Sequence, residues 1–177
     1  MNLSPELSPD LMVAHLRSGV LDCRTGLLLL PLELLGKAAD LAVTLGVSPV
    51  DYHAWKLERI GPGERFLRFS PESLLGELHA LCLEPHPLDT VLVSNFDLAL
   101  SALNSTERAQ VWRFLRDGFR KKARGLLLTM PQDADMLLPP AADLQRWNEG
   151  GRLSLYRPEL HRFGFTDSGD AHAPIRP

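Results

Sequence analysis

Leu27-Leu28-Leu29-Leu30 constrains this chain more than any other stretch. An unbroken run of four leucines has no polar alternation, and that is the pattern of a strand covered on both faces. Such a strand needs helices above and below it, which points to a layered α/β architecture. Val91-Leu92-Val93 and Leu126-Leu127-Leu128 repeat the pattern, and segments with helical spacing lie between the runs. We therefore expect a three-layer α/β domain with a mostly parallel sheet of about five strands and helices on both faces. The 177 residues suit one such domain over 1–165. Residues 166–177 are small, polar or proline and read as a flexible tail.

Local signals place the other elements. Ser8-Pro9-Asp10 combines a capping serine, a proline at the first helical position and an early acid, and Gly19 can close that helix. A helix is expected from Gly36 to Leu45, ended by Gly46. Ser48-Pro49-Val50-Asp51 resembles another capped start, which predicts a helix over 48–60, with a strand over 52–60 as the alternative. Arg65 to Phe69 reads as a short strand. Ser70-Pro71-Glu72 opens a helix with Leu74, Leu75, Leu78, Leu81 and Cys82 on one face. Asn104 and Glu107 form a capping box for a helix whose Val111, Phe114, Leu115 and Phe119 should face inward. Short helical pieces are expected over Asp135 to Leu138 and Ala141 to Trp147, and an edge strand over Arg152 to Tyr156.

The segment after the leucine run carries the first hint of chemistry. A nucleoside-triphosphate loop is written G-x-x-x-x-G-K-[ST] between a strand and a helix. Here the same register reads P-x-x-x-x-G-K-A, from Pro31 to Ala38. The glycine of such a loop lets backbone N–H groups wrap a phosphate. Pro31 has no N–H and a fixed φ, so it supplies neither property. Ala38 lacks the hydroxyl that coordinates magnesium. Gly36 and Lys37 remain as the phosphate-facing pair. A second strand, Asp89 to Asp97, should carry a magnesium-binding acid at its end, but that position reads Ser94, with Asn95 and Asp97 beyond it. Thr129 ends the third buried run.

Charge and cysteine usage narrow the partners. The net charge of −3 argues against a globally basic nucleic-acid coat. A local basic surface is nevertheless expected on the helix spanning 104–122, where Arg113, Arg116 and Arg120 share a stripe at i, i+3, i+7 and Lys121 follows. Either a solvated face or a nucleic-acid or partner surface would look like this. His79, Cys82 and His86 have a zinc-like spacing, but Cys82 falls on the apolar helix face and a fourth ligand is lacking, so no metal is expected. No apolar run approaches the roughly 18 residues of a membrane span, and Met1 to Pro5 lacks a secretory pattern. A cytoplasmic protein with no membrane partner is the expectation.

The order of these elements resembles the core of P-loop ATPases: strand, Gly-Lys segment, helix, strand ending in polar residues, basic helix, strand ending in Thr129. Its small size, the Asp89 to Asp97 strand, the strand at Leu126 to Pro131 and the ending Asn148 to Tyr156 look most like the small P-loop protein of type 3 BREX phage-defence systems. The resemblance spans Val20 to Tyr156. It implies a P-loop NTPase-like fold and a nucleotide site near Gly36, Lys37, Asn95, Asp97 and Thr129, with ATP and magnesium as its ligands. Pro31, Ala38 and Ser94 depart at each defining position. The expectation is therefore a catalytically inactive interaction subunit of a phage-defence or DNA-processing complex, without a catalytic residue or bound cofactor of its own. Its partners would be proteins of that complex, with a homo-oligomer left open. The alternatives are an ATPase with an atypical loop completed by a partner, and a nucleic-acid-binding accessory module using the basic helix.

Overall fold

The computed structural model describes residues 7–61 and 69–157. Helix α1 (Pro9–Arg17) precedes strand β1 (Thr25–Leu30). A 3-10 helix (Leu32–Lys37) runs directly into α2 (Ala38–Thr44). Then follow β2 (Ser48–Asp51), α3 (Tyr52–Leu57), α4 (Pro71–Leu83), β3 (Thr90–Ser94) and α5 (Phe96–Ser101). Helix α6 (Ser105–Arg113) passes into a π-helical turn (Phe114–Gly118), and β4 (Gly125–Pro131), α7 (Ala141–Glu149) and β5 (Leu153–Leu155) complete the domain.

All five strands are parallel, in the order β2-β3-β4-β1-β5. Every residue of β1 is buried, as the leucine run requires. The pleat divides its side chains. Leu28 and Leu30 join Leu92 and Leu127 beneath α1 and α2. Leu27 and Leu29 join Val91, Val93, Leu126, Leu128 and Met130 beneath α3 to α7. Each buried leucine contributes roughly 1.5–3 kcal/mol relative to exposure, which makes this double coverage the main source of stability. Gly26 lets α1 approach closely, because a Cβ there would meet Leu16 Cδ1 at 3.1 Å and Met12 Sδ at 3.3 Å. On the other face Tyr52, Phe96, Trp112 and Trp147 form a chain of edge-to-face rings, with centroids 5.3, 6.5 and 6.4 Å apart.

Several expectations change. Ser48–Asp51 is a strand rather than a helix start, and Asp51 caps α3 by accepting from Ala54 N at 3.0 Å. Pro49 is tolerated because β2 lies at the sheet edge, where a missing N–H breaks no second ladder. Asp135 to Leu138 forms turns, with Leu138 N bonded to Ala134 O, and α7 extends to Glu149. Phe114 is exposed, not inward. The π-helical turn adds a residue to the coil at that point, rotating Phe114 out while Leu115 and Phe119 stay buried. The strand expected over Arg65 to Phe69 lies outside the described residues except for Phe69, which belongs to no element, and the expected tail lies outside them entirely.

Candidate functional site

The topology nominates one end of the sheet. From β1 the chain leaves over the α1–α2 face towards β2, whereas from its neighbour β4 it leaves over the opposite face towards β5. Direction and face reverse together, so the crossovers keep one hand. The carboxyl ends of β1 and β4 therefore part, which is where open α/β sheets bind ligands.

The segment that would grip a phosphate there is wound up. Pro31 begins the 3-10 helix, and Leu34 N donates to Pro31 O at 3.0 Å. Beyond its first amides a 3-10 helix uses its donors within the coil, so the later ones do not converge on a shared anion. Gly36 has no positive φ, and open space lies where its Cβ would be. Lys37, at the N-cap of α2, is exposed and lines a shallow recess of about 120 Å³ with Asp40, Thr44 and Tyr156. Ala38 is buried beneath the sheet face.

The strand-end residues are likewise engaged with the protein. Ser94 Oγ donates to Val50 O at 3.4 Å, and Thr129 Oγ1 donates to Val93 O at 3.2 Å. Both hydroxyls thus bond carbonyls of a neighbouring strand. Asn95 adopts left-handed backbone with φ 58°, and its side-chain amide donates to Asp51 Oδ2 at 2.7 Å. Asp97 stands in the first turn of α5, where a carboxylate complements the helix dipole. Asn95 lines a second recess of about 120 Å³ with Tyr52, His53 and Lys56. Lys37 and Asn95 thus face separate recesses, and Thr129 lies within the sheet.

The basic helix is also rearranged. Arg116 is buried, paired bidentately with Asp117 through Nε–Oδ1 at 2.9 Å and Nη2–Oδ2 at 2.7 Å, and ion-paired by Nη1 with Asp143. These acids push the guanidinium pKa further up, with the Asp117 hydrogen bonds the largest cause, and Arg116 in turn holds Asp117 below the usual carboxylate range. The i, i+3, i+7 stripe is therefore a correction. Arg113, Arg120 and Lys121 are exposed, but Arg116 between them faces inward, because the π-helical turn breaks the helical spacing. Sequence reading also missed Arg152, which it offered only as the start of an edge strand. The guanidinium is buried, stacked 4.9 Å above the Trp147 ring, and nothing in its local sequence signals this.

Cys82 belongs to the core, and His86 Nε2 lies 3.0 Å from Leu81 O, so the zinc-like spacing does not gather ligands. Among the described residues no helix is long and apolar enough to cross a membrane. Compared with family models, curated proteins and solved structures, the chain matches none.

Proposed function

We propose that this chain is a P-loop-like scaffold that no longer hydrolyses nucleotide and serves as an interaction subunit of a phage-defence or DNA-processing assembly. The observation that carries this reading is the coil over Leu32–Lys37 at the end of the central strand. Triphosphate chemistry needs converging backbone donors and a metal held by a hydroxyl and an acid. Here the donors belong to a 3-10 turn, Ala38 offers no oxygen, and the Ser94 hydroxyl is bonded to Val50. Three coincident departures favour a retained architecture over retained catalysis. The assembly itself is inferred from the resemblance in element order, and the partners are the other proteins of such a complex.

Steady-state phosphate release from ATP tests the catalytic half. Purified protein with magnesium should match buffer, and Lys37→Ala should change nothing. Turnover that Lys37→Ala abolishes would overturn the proposal. For the partner half, the tagged chain should co-purify with a methyltransferase or a large ATPase encoded beside it, and recovery as a lone monomer counts against an assembly role.

A further inference from the structure

At the opposite, amino-terminal end of the sheet lies a recess of about 250 Å³, bordered by Asp22, Cys23, Arg116, Asp117, Arg120 and Arg152. Three guanidinium groups thus face two carboxylates. Arg116 and Asp117 satisfy each other bidentately, with Asp143 closing the remaining side of Arg116. Arg152 is different. It is 9% exposed, and its Nη1 donates to the carbonyls of Cys23 at 3.2 Å and Arg116 at 2.8 Å. Among the described residues no carboxylate comes within ion-pair distance of it. A buried cation without a counter-ion is costly to maintain. Burial indeed lowers the Arg152 pKa. Arg120 is exposed at the rim, spends Nε on Asp117 O at 2.8 Å, and its charge favours the ionised Cys23 thiol against the burial that raises it.

We propose that this recess binds a phosphate-sized oxyanion, with Arg152 supplying the buried charge and Arg120 closing over the ligand from the rim. Guanidinium forks match phosphate and carboxylate oxygens with paired, charge-assisted hydrogen bonds. A bound anion would pair directly with Arg152, on which Asp117 acts only from beyond ion-pair distance. Asp22, exposed at the entrance, opposes the anion and sets its affinity. The site is separate from the Gly36–Lys37 end of the sheet, since Cys23 precedes β1 and Arg152 precedes β5.

Calorimetric titration of the full chain with inorganic phosphate, and separately with acetate, tests this and distinguishes the two sources of an oxyanion. Saturable binding of at least one, with a dissociation constant below about 1 mM, is expected. Arg120→Gln and Arg152→Met should each weaken it roughly tenfold or more, the worth of a charge-assisted hydrogen bond. Asp22→Asn should tighten it about two- to fivefold. Arg113→Gln should leave it unchanged. Should Arg152→Met fail to fold, Arg120→Gln and Asp22→Asn carry the test between them. Absence of saturable binding to both anions, or equal weakening by Arg113→Gln, would overturn the assignment. So would an Asp22→Asn variant that binds no more tightly than the natural chain.

Discussion

Asp143, in the first turn of α7, closes on the guanidinium of Arg116 in the π-helical turn that follows α6. The pair ties the segment entering β4 to the segment entering β5, and these two strands flank β1. It also explains why a run of arginines that reads as a surface stripe is not one.

Breaking that pair should be expensive. Arg116→Met leaves Asp143, mostly buried, with only the longer 3.8 Å contact to the exposed Arg146, and Asp143→Asn leaves Arg116 with the more exposed Asp117 alone. We expect Arg116→Met to destabilise the domain by about 2 kcal/mol in urea unfolding, less than a fully stranded buried charge would cost because Arg146 remains near Asp143. Asp143→Asn should cost less. Combining Arg116→Met with Asp143→Leu should recover part of the loss, because no buried charge is then stranded. An Arg116→Met variant within about 0.5 kcal/mol of the natural chain would show that the pair is energetically idle.

Trp112 and Trp147 offer an internal control. Both are fully buried and their rings meet edge to face. Trp112 Nε1 donates to Leu137 O at 2.8 Å, whereas Trp147 Nε1 is buried with no partner. Replacement by phenylalanine removes similar volume from each. Trp112→Phe strands a carbonyl, while Trp147→Phe removes an unsatisfied donor. The first should therefore be less stable than the second by roughly 1–2 kcal/mol, measured by denaturant midpoint at matched slope.

The Thr129 hydroxyl, bonded to Val93 O, gives a prediction at the candidate nucleotide end. Thr129→Val keeps the shape and loses one buried hydrogen bond, at a cost of about 1 kcal/mol. Melting curves of the natural chain and the variant, with and without magnesium–ATP, should show the same nucleotide response. A nucleotide-induced shift present in the natural chain and lost in the variant would mean that Thr129 senses phosphate.

Stability should fall on the alkaline side. Burial pushes the Cys82 thiol up to about 11. Burial, then the Glu77 hydrogen bond and charge, raises the Tyr52 phenol pKa. Both groups are therefore neutral in the folded chain at pH values where the unfolded chain has released their protons. Their contribution is fully present below the unfolded values, roughly 8.5 for cysteine and 10 for tyrosine, and is lost as pH rises beyond them. The slope should approach about 1.4 kcal/mol per pH unit for each group. Tyr52→Phe should be less stable at neutral pH, having lost its bond to Glu77, but should show a shallower decline above pH ~10. An unchanged slope would place the alkaline sensitivity elsewhere.

Much of the fold was legible because its signals are local. Ser8, Ser70 and Asn104 cap helices as expected, and Gly19 and Gly46 take the positive φ that ends a helix. Leucine runs produced the covered strands because double burial leaves no room for alternation. What was missed depends on neighbours distant in sequence. Pro49 reads as a helix start until β2 is known to be an edge strand. Arg116 reads as a surface residue until Asp143 reaches it from another helix. Ser94 ends its strand as a ligand site would require and Thr129 reads as though it did, yet β4 runs on to Pro131 and parallel register brings carbonyls of adjacent strands to both hydroxyls. Register has no signature within a single strand.

The central position of β1 also bears on how the chain is made. Leu27 aligns with Leu128 on one side and Leu153 on the other. Among the five described strands, the first to be made must therefore wait for the last two. At about 5–20 residues per second that delay is on the order of ten seconds. During it four consecutive leucines lack both of the strands that flank them in the sheet. A chain cut short before Gly125 would never acquire either neighbour.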